Sequence, residues 1–196
     1  LEACAAAIFS AAGAPLDKAQ RVAELLVESN LVGHDSHGII RVAQYVATIE
    51  RGEIDPHAEI TVESETDASA VLDGHWGFGQ VVMSQAASMA VEKAARCGVA
   101  ALTVRNANHI GRLGSYVEHI ANKGMVGLLF ANMHGSAACV VPWGGREGRL
   151  GTNPLAAGLP RPNADPIVLD MTTSVVAEGK IRVQRNRGAS LPEGWI

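Results

Sequence analysis

The 196-residue sequence is poor in cysteine: Cys4, Cys97 and Cys139 stand far apart, with no CxxC pair among them. An odd, scattered set suggests neither a disulfide framework nor a zinc knuckle and suits a reducing compartment such as the cytoplasm. No stretch approaches the roughly 20 uninterrupted apolar residues of a membrane-crossing helix. Runs of like charge are also missing. The 16 Lys plus Arg against 20 Asp plus Glu leave a formal net charge of −4, which argues against a nucleic-acid footprint and against a polybasic membrane anchor. There is no low-complexity tract and no repeat of fixed period. The sequence begins at Leu1, with no basic region before its Ala-rich start, and this reads as a fragment edge and not as a signal peptide. What is there is apolar: 47% hydrophobic against 18% charged residues is too apolar for a disordered chain and enough for a core without staples. A globular protein with a small-molecule partner is expected.

Periodicity divides the chain near residue 55. Helices are expected over 1–12, 17–32 and 36–50, with Gly13, Gly33 and Gly52 at the positions of C-terminal caps. Composition shifts at Asp55-Pro56, and strands are expected at 60–65 and 68–72. A Gly-rich turn at 74–79 then leads into a helix over 80–97. Further strands fall at 99–104, 125–131, 155–159 and 167–170, with helices at 113–123 and 174–185. Helices and strands mix without strict alternation, so the expected class is α+β: an N-terminal helical segment, 1–55, followed by a mixed-sheet region, 56–196.

The most informative stretch is 35–45, Asp35-Ser36-His37-Gly38-Ile39-Ile40-Arg41-Val42-Ala43-Gln44-Tyr45. At about 100° per residue Ile39, Val42, Ala43, Val46 and Ile49 share one face, while His37, Arg41, Gln44 and Thr48 fall opposite. An arginine fork can hold a carboxylate, and a neighbouring imidazole of ordinary pKa about 6.5 can exchange a proton near neutrality. An ordinary solvated face fits the same spacing. Ser36 is open between a helix cap and a hydrogen-bond partner for His37. His34 with Asp35 and His37 offers metal-ligand types, but no second ligand cluster is adjacent, so no metal is assigned.

Other motifs are weaker. The turn Asn108-His109-Ile110-Gly111-Arg112-Leu113-Gly114 lies between a strand and a helix, where backbone N–H groups and Arg112 suit either an anion or simple capping. Gly74-x-x-Gly77-x-Gly79 is not the dinucleotide GxGxxG order, and the glycines at 144–151 lack the GK[ST] ending of a phosphate loop. Asp170-Met171-Thr172-Thr173-Ser174 places an acid and three hydroxyls at a strand end, for capping or for ligand contact.

Taken in order, SHGIIRVAQYV, LDGHWGFGQ, GVAALTVRNANHIGRLGSY, PWGGREGRLGTNPLAAGLP, IVLDMTTSVVAEGKI and LPEGW resemble the type-2 malate/L-lactate dehydrogenase family. This family includes sulfolactate, ureidoglycolate and diketogulonate enzymes and cyclic imine reductases, and it is unrelated to the Rossmann lactate dehydrogenases. The resemblance covers nearly the whole chain. It implies a non-Rossmann fold binding NAD or NADP, which accounts for the missing fingerprint, and hydride transfer with a small 2-oxo or 2-hydroxy acid.

By the same resemblance His37 is the proton donor with Ser36 beside it in a relay, and Arg41 holds the substrate carboxylate. His109, Ile110, Gly111, Arg112 and Leu113 form a cofactor-contacting turn in which some members give His109 a catalytic role. Thr152 falls at a substrate contact, Asp170, Met171 and Thr172 at a cofactor contact, and Lys180 at a relay position that favours the hydroxyacid branch. Family members are homodimers with the site near the interface, and they continue well past Trp195-Ile196, which puts independent activity of this chain in question. The alternatives are reduction of a cyclic imine (piperideine- or pyrroline-2-carboxylate), an inactive fragment that binds cofactor or a partner subunit, and, third, a metal-dependent hydrolase.

Overall fold

The structure, a computed structural model, describes residues 1–133 and 140–195, and Glu178 by its backbone alone. Cys139 of the cysteine count lies outside the described residues.

Two helices, α1 (Glu2–Ala11) and α2 (Leu16–Leu31), pack with α3 (Val42–Glu50) around Phe9, Val22, Leu26 and Tyr45. Phe78 and Ile54 complete this cluster, so the helical segment shares its core with the turn that precedes the long helix α4 (Gly79–Cys97). Alternation in the sequence yields β1 (Thr61–Glu65), β2 (Ser69–Asp73) and β3 (Ala101–Arg105). β1 pairs antiparallel with β2, and β2 pairs parallel with β3 through the α4 crossover. A second sheet is antiparallel throughout, in the order β4 (Gly127–Phe130), β5 (Leu155–Arg161), β6 (Ala164–Met171). The expected mixed sheet is therefore two separate three-stranded sheets, of which the first is mixed.

Helix α5 (Gly114–Asn122) covers one face of the second sheet through Leu113 and Val117 against Ala156, Leu129 and Val168. The alternate residues point the other way: Leu128, Phe130, Leu159, Ile167, Leu169 and Met171 are all exposed, in rows set by the strand register. A last helix, α6 (Glu178–Arg187), starts four residues later than the pattern suggested and packs on the 35–37 turn.

The largest departure concerns residues 36–50. In place of one helix there are two short 3₁₀ turns, Asp35–His37 and Ile39–Arg41, before α3. The break is at Gly38, where Asn30 from α2 reaches across to accept the Ile39 N–H at 2.8 Å. A Cβ on Gly38 would lie 2.1 Å from the Asn30 side-chain oxygen, so this intrusion needs glycine. Both sides of this segment are covered: Arg41, Tyr45 and Thr48 are buried, and Ile39, Val42, Val46 and Ile49 of the apolar stripe pack partly buried against the helical core, while Ala43 is exposed in an open groove with Ile8 of α1.

Candidate active site

The 3₁₀ turn puts Ser36 inside the protein and leaves His37 partly covered, with Ser36 Oγ 2.9 Å from His37 Nδ1. Ser36 thus takes the partner role, since its side chain caps no helix. Arg41 is 5% exposed; its Nε donates to the Ser36 carbonyl at 2.7 Å and a terminal nitrogen donates to Gln44 Oε1 at 2.7 Å. Arg182 of α6 donates to the same Gln44 oxygen at 2.9 Å. Helix α6 comes this close because it meets the turn through Gly179: a Cβ there would lie 2.7 Å from an Arg41 nitrogen and 2.8 Å from Ser36 Cβ. Its next residue, Lys180, is exposed but near enough for its charge to act on His37.

The turn after β3 supplies the opposite wall. His109 stacks on His37 with ring centroids 5.3 Å apart and planes inclined by 16°. Behind it, Tyr45 Oη lies 2.6 Å from His109 Nδ1, and the Gln80 amide nitrogen donates to Tyr45 Oη at 2.8 Å. Burial holds His37 down to about 4, assisted by the electrostatic effects of Arg41, His34 and Lys180. His109 is lowered well below the ordinary histidine value for the same reasons: burial first, then Arg41, His37 and Arg182. Burial pushes the Tyr45 phenol up to about 12 against the opposing effects of Gln80 and Arg41. At neutral pH the pair of imidazoles is uncharged and the phenol keeps its proton.

Ser36, His37, Arg41, His109 and Lys180, five of the residues singled out from the sequence, therefore converge. The contacts of the others run to different partners. Arg112 is buried against α2 and α5, bonded to Glu28 at 3.0 Å and Glu118 at 3.4 Å, with Asp170 at 4.0 Å. Asp170 accepts the Gly114 N–H at 2.7 Å. Ile110 and Leu113 belong to core clusters, and Gly111 packs near the Gln80 amide. Thr152 is buried just before β5, and Thr173 ties its neighbour Asn153 to the end of β6, where Met171 is exposed and Thr172 shares a 2.8 Å bond with Ser174. Among the described residues no three His, Cys, Asp or Glu converge as a metal site would require.

Sequence reasoning missed Tyr45 and Gln80. Tyr45 carried a signal, being four residues after Arg41 and eight after His37 on one side of the turn and helix. Gln80 carried none, because its partner is 35 positions away.

Among the described residues no helix is long and apolar enough to cross a membrane. The malate dehydrogenase of Pyrococcus abyssi is 42% identical over 188 residues, 96% of this chain and 51% of that protein. The Δ1-pyrroline-2-carboxylate/Δ1-piperideine-2-carboxylate reductase of Pseudomonas syringae pv. tomato is 36% identical over 187 residues, 95% of this chain and 54% of that protein. The solved malate dehydrogenase of Pyrococcus horikoshii OT3 superposes with a TM-score of 0.88 at 38% identity, covering 93% of this chain and 51% of the other. The chain spans about half the length of the relatives it matches. The family model for malate/L-lactate dehydrogenase matches residues 1–196, and the chain belongs to that family.

Proposed function

We propose that this chain carries the proton-transfer and substrate-orienting end of an oxidoreductase acting on a small 2-hydroxy or 2-oxo acid with NAD or NADP. The observation that carries the reading is the Ser36–His37–Arg41 turn with His109 stacked upon it: a titratable imidazole and a fixed cation on one turn, beside a second imidazole held neutral. In the oxidative direction the uncharged His37 accepts the hydroxyl proton of the acid while C2 gives up its hydrogen as hydride. Arg41 attracts the carboxylate and so fixes which face of C2 is presented. In the reductive direction His37 must first be protonated. An anionic substrate beside Arg41 offsets one of the charges that depress His37, so the proton arrives with the substrate.

The cofactor-facing residues expected from the family resemblance fit a nicotinamide ring better than its phosphates. Arg112 and Asp170 are committed to internal partners, which leaves the thioether of Met171 and the hydroxyl of Thr172, neither of them charged, as groups that would face the ring. Such a cofactor, when bound, accepts or supplies the hydride. Thr152 and Lys180 are read as a substrate contact and a relay residue. The reading places the protein in the cytoplasm, which the exposed free thiols of Cys4 and Cys97 suit, and as a homodimer, which light scattering tests.

The test follows reduced-nicotinamide absorbance with NADH and NADPH against oxaloacetate, pyruvate, sulfopyruvate and piperideine-2-carboxylate, using this chain and a version extended to the relatives' length. Turnover of an oxo acid supports the reading. Turnover of the cyclic imine alone selects the second reading, which the Pseudomonas reductase among the relatives favours. Silence from both proteins overturns catalysis in favour of a binding role.

A further inference from the structure

Tyr45 and Gln80 lie one layer behind the paired imidazoles, and their hydrogen bonds leave little freedom for protons. The Gln80 amide nitrogen can only donate, so Tyr45 Oη is the acceptor of their 2.8 Å bond. A phenol has one proton. With its oxygen already accepting, that proton goes to the remaining neighbour, His109 Nδ1, 2.6 Å away. A nitrogen that accepts carries no hydrogen, and a neutral imidazole bare at Nδ1 is protonated at Nε2. The reverse arrangement, with Nδ1–H donating to Tyr45, would strand the phenolic proton, because Tyr45 Oη has no third hydrogen-bond partner among the described residues. Burial penalises both escapes, a charged imidazole and a phenolate. Gln80 is itself 1% exposed and anchored at the start of α4, where its amide packs beside Gly111 of the His109 turn.

We infer that Tyr45 and Gln80 are positioning residues that lock His109 in its Nε2–H form, making it a fixed hydrogen-bond donor beside His37 and not a second base. The inference rests on the proposed acid–base reading for its functional meaning. It divides the labour of two otherwise similar rings: His37 moves the proton, and His109 offers a hydrogen bond to the oxygen on which charge gathers. The Gln80 oxygen, buried without a hydrogen-bond partner among the described residues, shows how much hangs on the amide's orientation. Turned around, the amide would accept from Tyr45, which would then accept from Nδ1–H and leave Nε2 bare.

The experiment is long-range ¹H–¹⁵N correlation of the imidazole nitrogens in this chain at neutral pH, with His37→Asn and His109→Asn each used to assign the ring it removes from the seven. It needs no turnover, so its result stands apart from that of the activity assay. The expected spectrum places His109 Nε2 among protonated and Nδ1 among unprotonated ring nitrogens; protonated Nδ1 overturns the inference. In Tyr45→Phe, checked by its backbone spectrum for a native fold, both His109 nitrogens shift toward averaged values as the lock is lost. Where that variant does not fold, Gln80→Leu serves, since it frees Tyr45 to donate or accept and gives the same averaging. An unchanged His109 spectrum in the folded variant overturns the role assigned to the pair.

Discussion

Arg41 and Arg112 are both more than nine-tenths buried, and the sequence offers both as ligand-binding cations. Arg112 sits among Glu28, Glu118 and Asp170, so its charge is compensated within the fold and it ties α2, α5 and β6 together. Arg41 donates among its contacts to the Ser36 carbonyl and the Gln44 side-chain oxygen, and its charge bears on two histidines held below their ordinary pKa. A buried cation among carboxylates is a strut. One whose field depresses a neighbouring imidazole is equipment for chemistry on an anion, because an anion is what relieves that field.

The comparison breaks most sharply at Arg112. Arg112→Leu leaves carboxylates facing one another without a cation and is expected to cost about 3 kcal/mol, the low end for a broken buried pair because Glu28 and Glu118 keep part of their side chains in water. Urea denaturation measures it, and a change under 1 kcal/mol would show that Arg112 is no strut. At the other pole, His37→Asn in a turnover-competent version should leave the fold intact and lower turnover by roughly 10²-fold or more. Wild-type turnover in that variant removes His37 from the mechanism.

Acid sharpens the contrast from a different side. The folded-state pKa of His37 is about 4 against 6.5 when unfolded, and that of His109 is lowered too. The unfolded chain therefore takes up protons that the folded chain refuses, and the stabilising contribution is full above pH 6.5 and lost as pH falls toward 4. For His37 alone this is about 3 kcal/mol across the window. Thermal melts from pH 7 to pH 4.5 should show it, and His37→Asn should flatten the profile. The smallest effect is expected for Arg41→Lys, which keeps the charge and loses the fork: KM for the acid rises about tenfold with a smaller change in kcat. An equal fall in kcat and in kcat/KM, with KM unchanged, would assign Arg41 to the transition state.

Much of the fold was legible because it follows from local rules. The glycines at 13, 33 and 52 all adopt positive φ at helix ends, and each expected strand is present within a few residues. The 36–50 segment was misread because its break depends on Asn30, a cap delivered from another helix that no local pattern encodes. Periodicity places the apolar stripe on the core, as found, but does not tell that the opposite side is covered too. Arg41 and Thr48 are buried because that side meets a polar cluster, with Tyr45 bridging the hydrophobic core and His109. That Arg112 is a strut could not be read from the sequence, since its carboxylate partners lie up to 84 positions away.

The outward rows of the second sheet, with Leu128, Phe130, Ile167 and Leu169 at 46–71% exposure, bear on how molecules of this chain meet in solution. Charge repulsion from a net −4 is weak beside an apolar stripe three strands wide. Pairwise attraction should therefore dominate, giving a negative second virial coefficient that sulfate makes more negative. Lysine at Phe130 and Leu169 should turn its sign without disturbing the imidazole pair. The surface that decides the colloidal fate of this chain is thus built from the same strands whose other side holds Asp170 for the Arg112 strut.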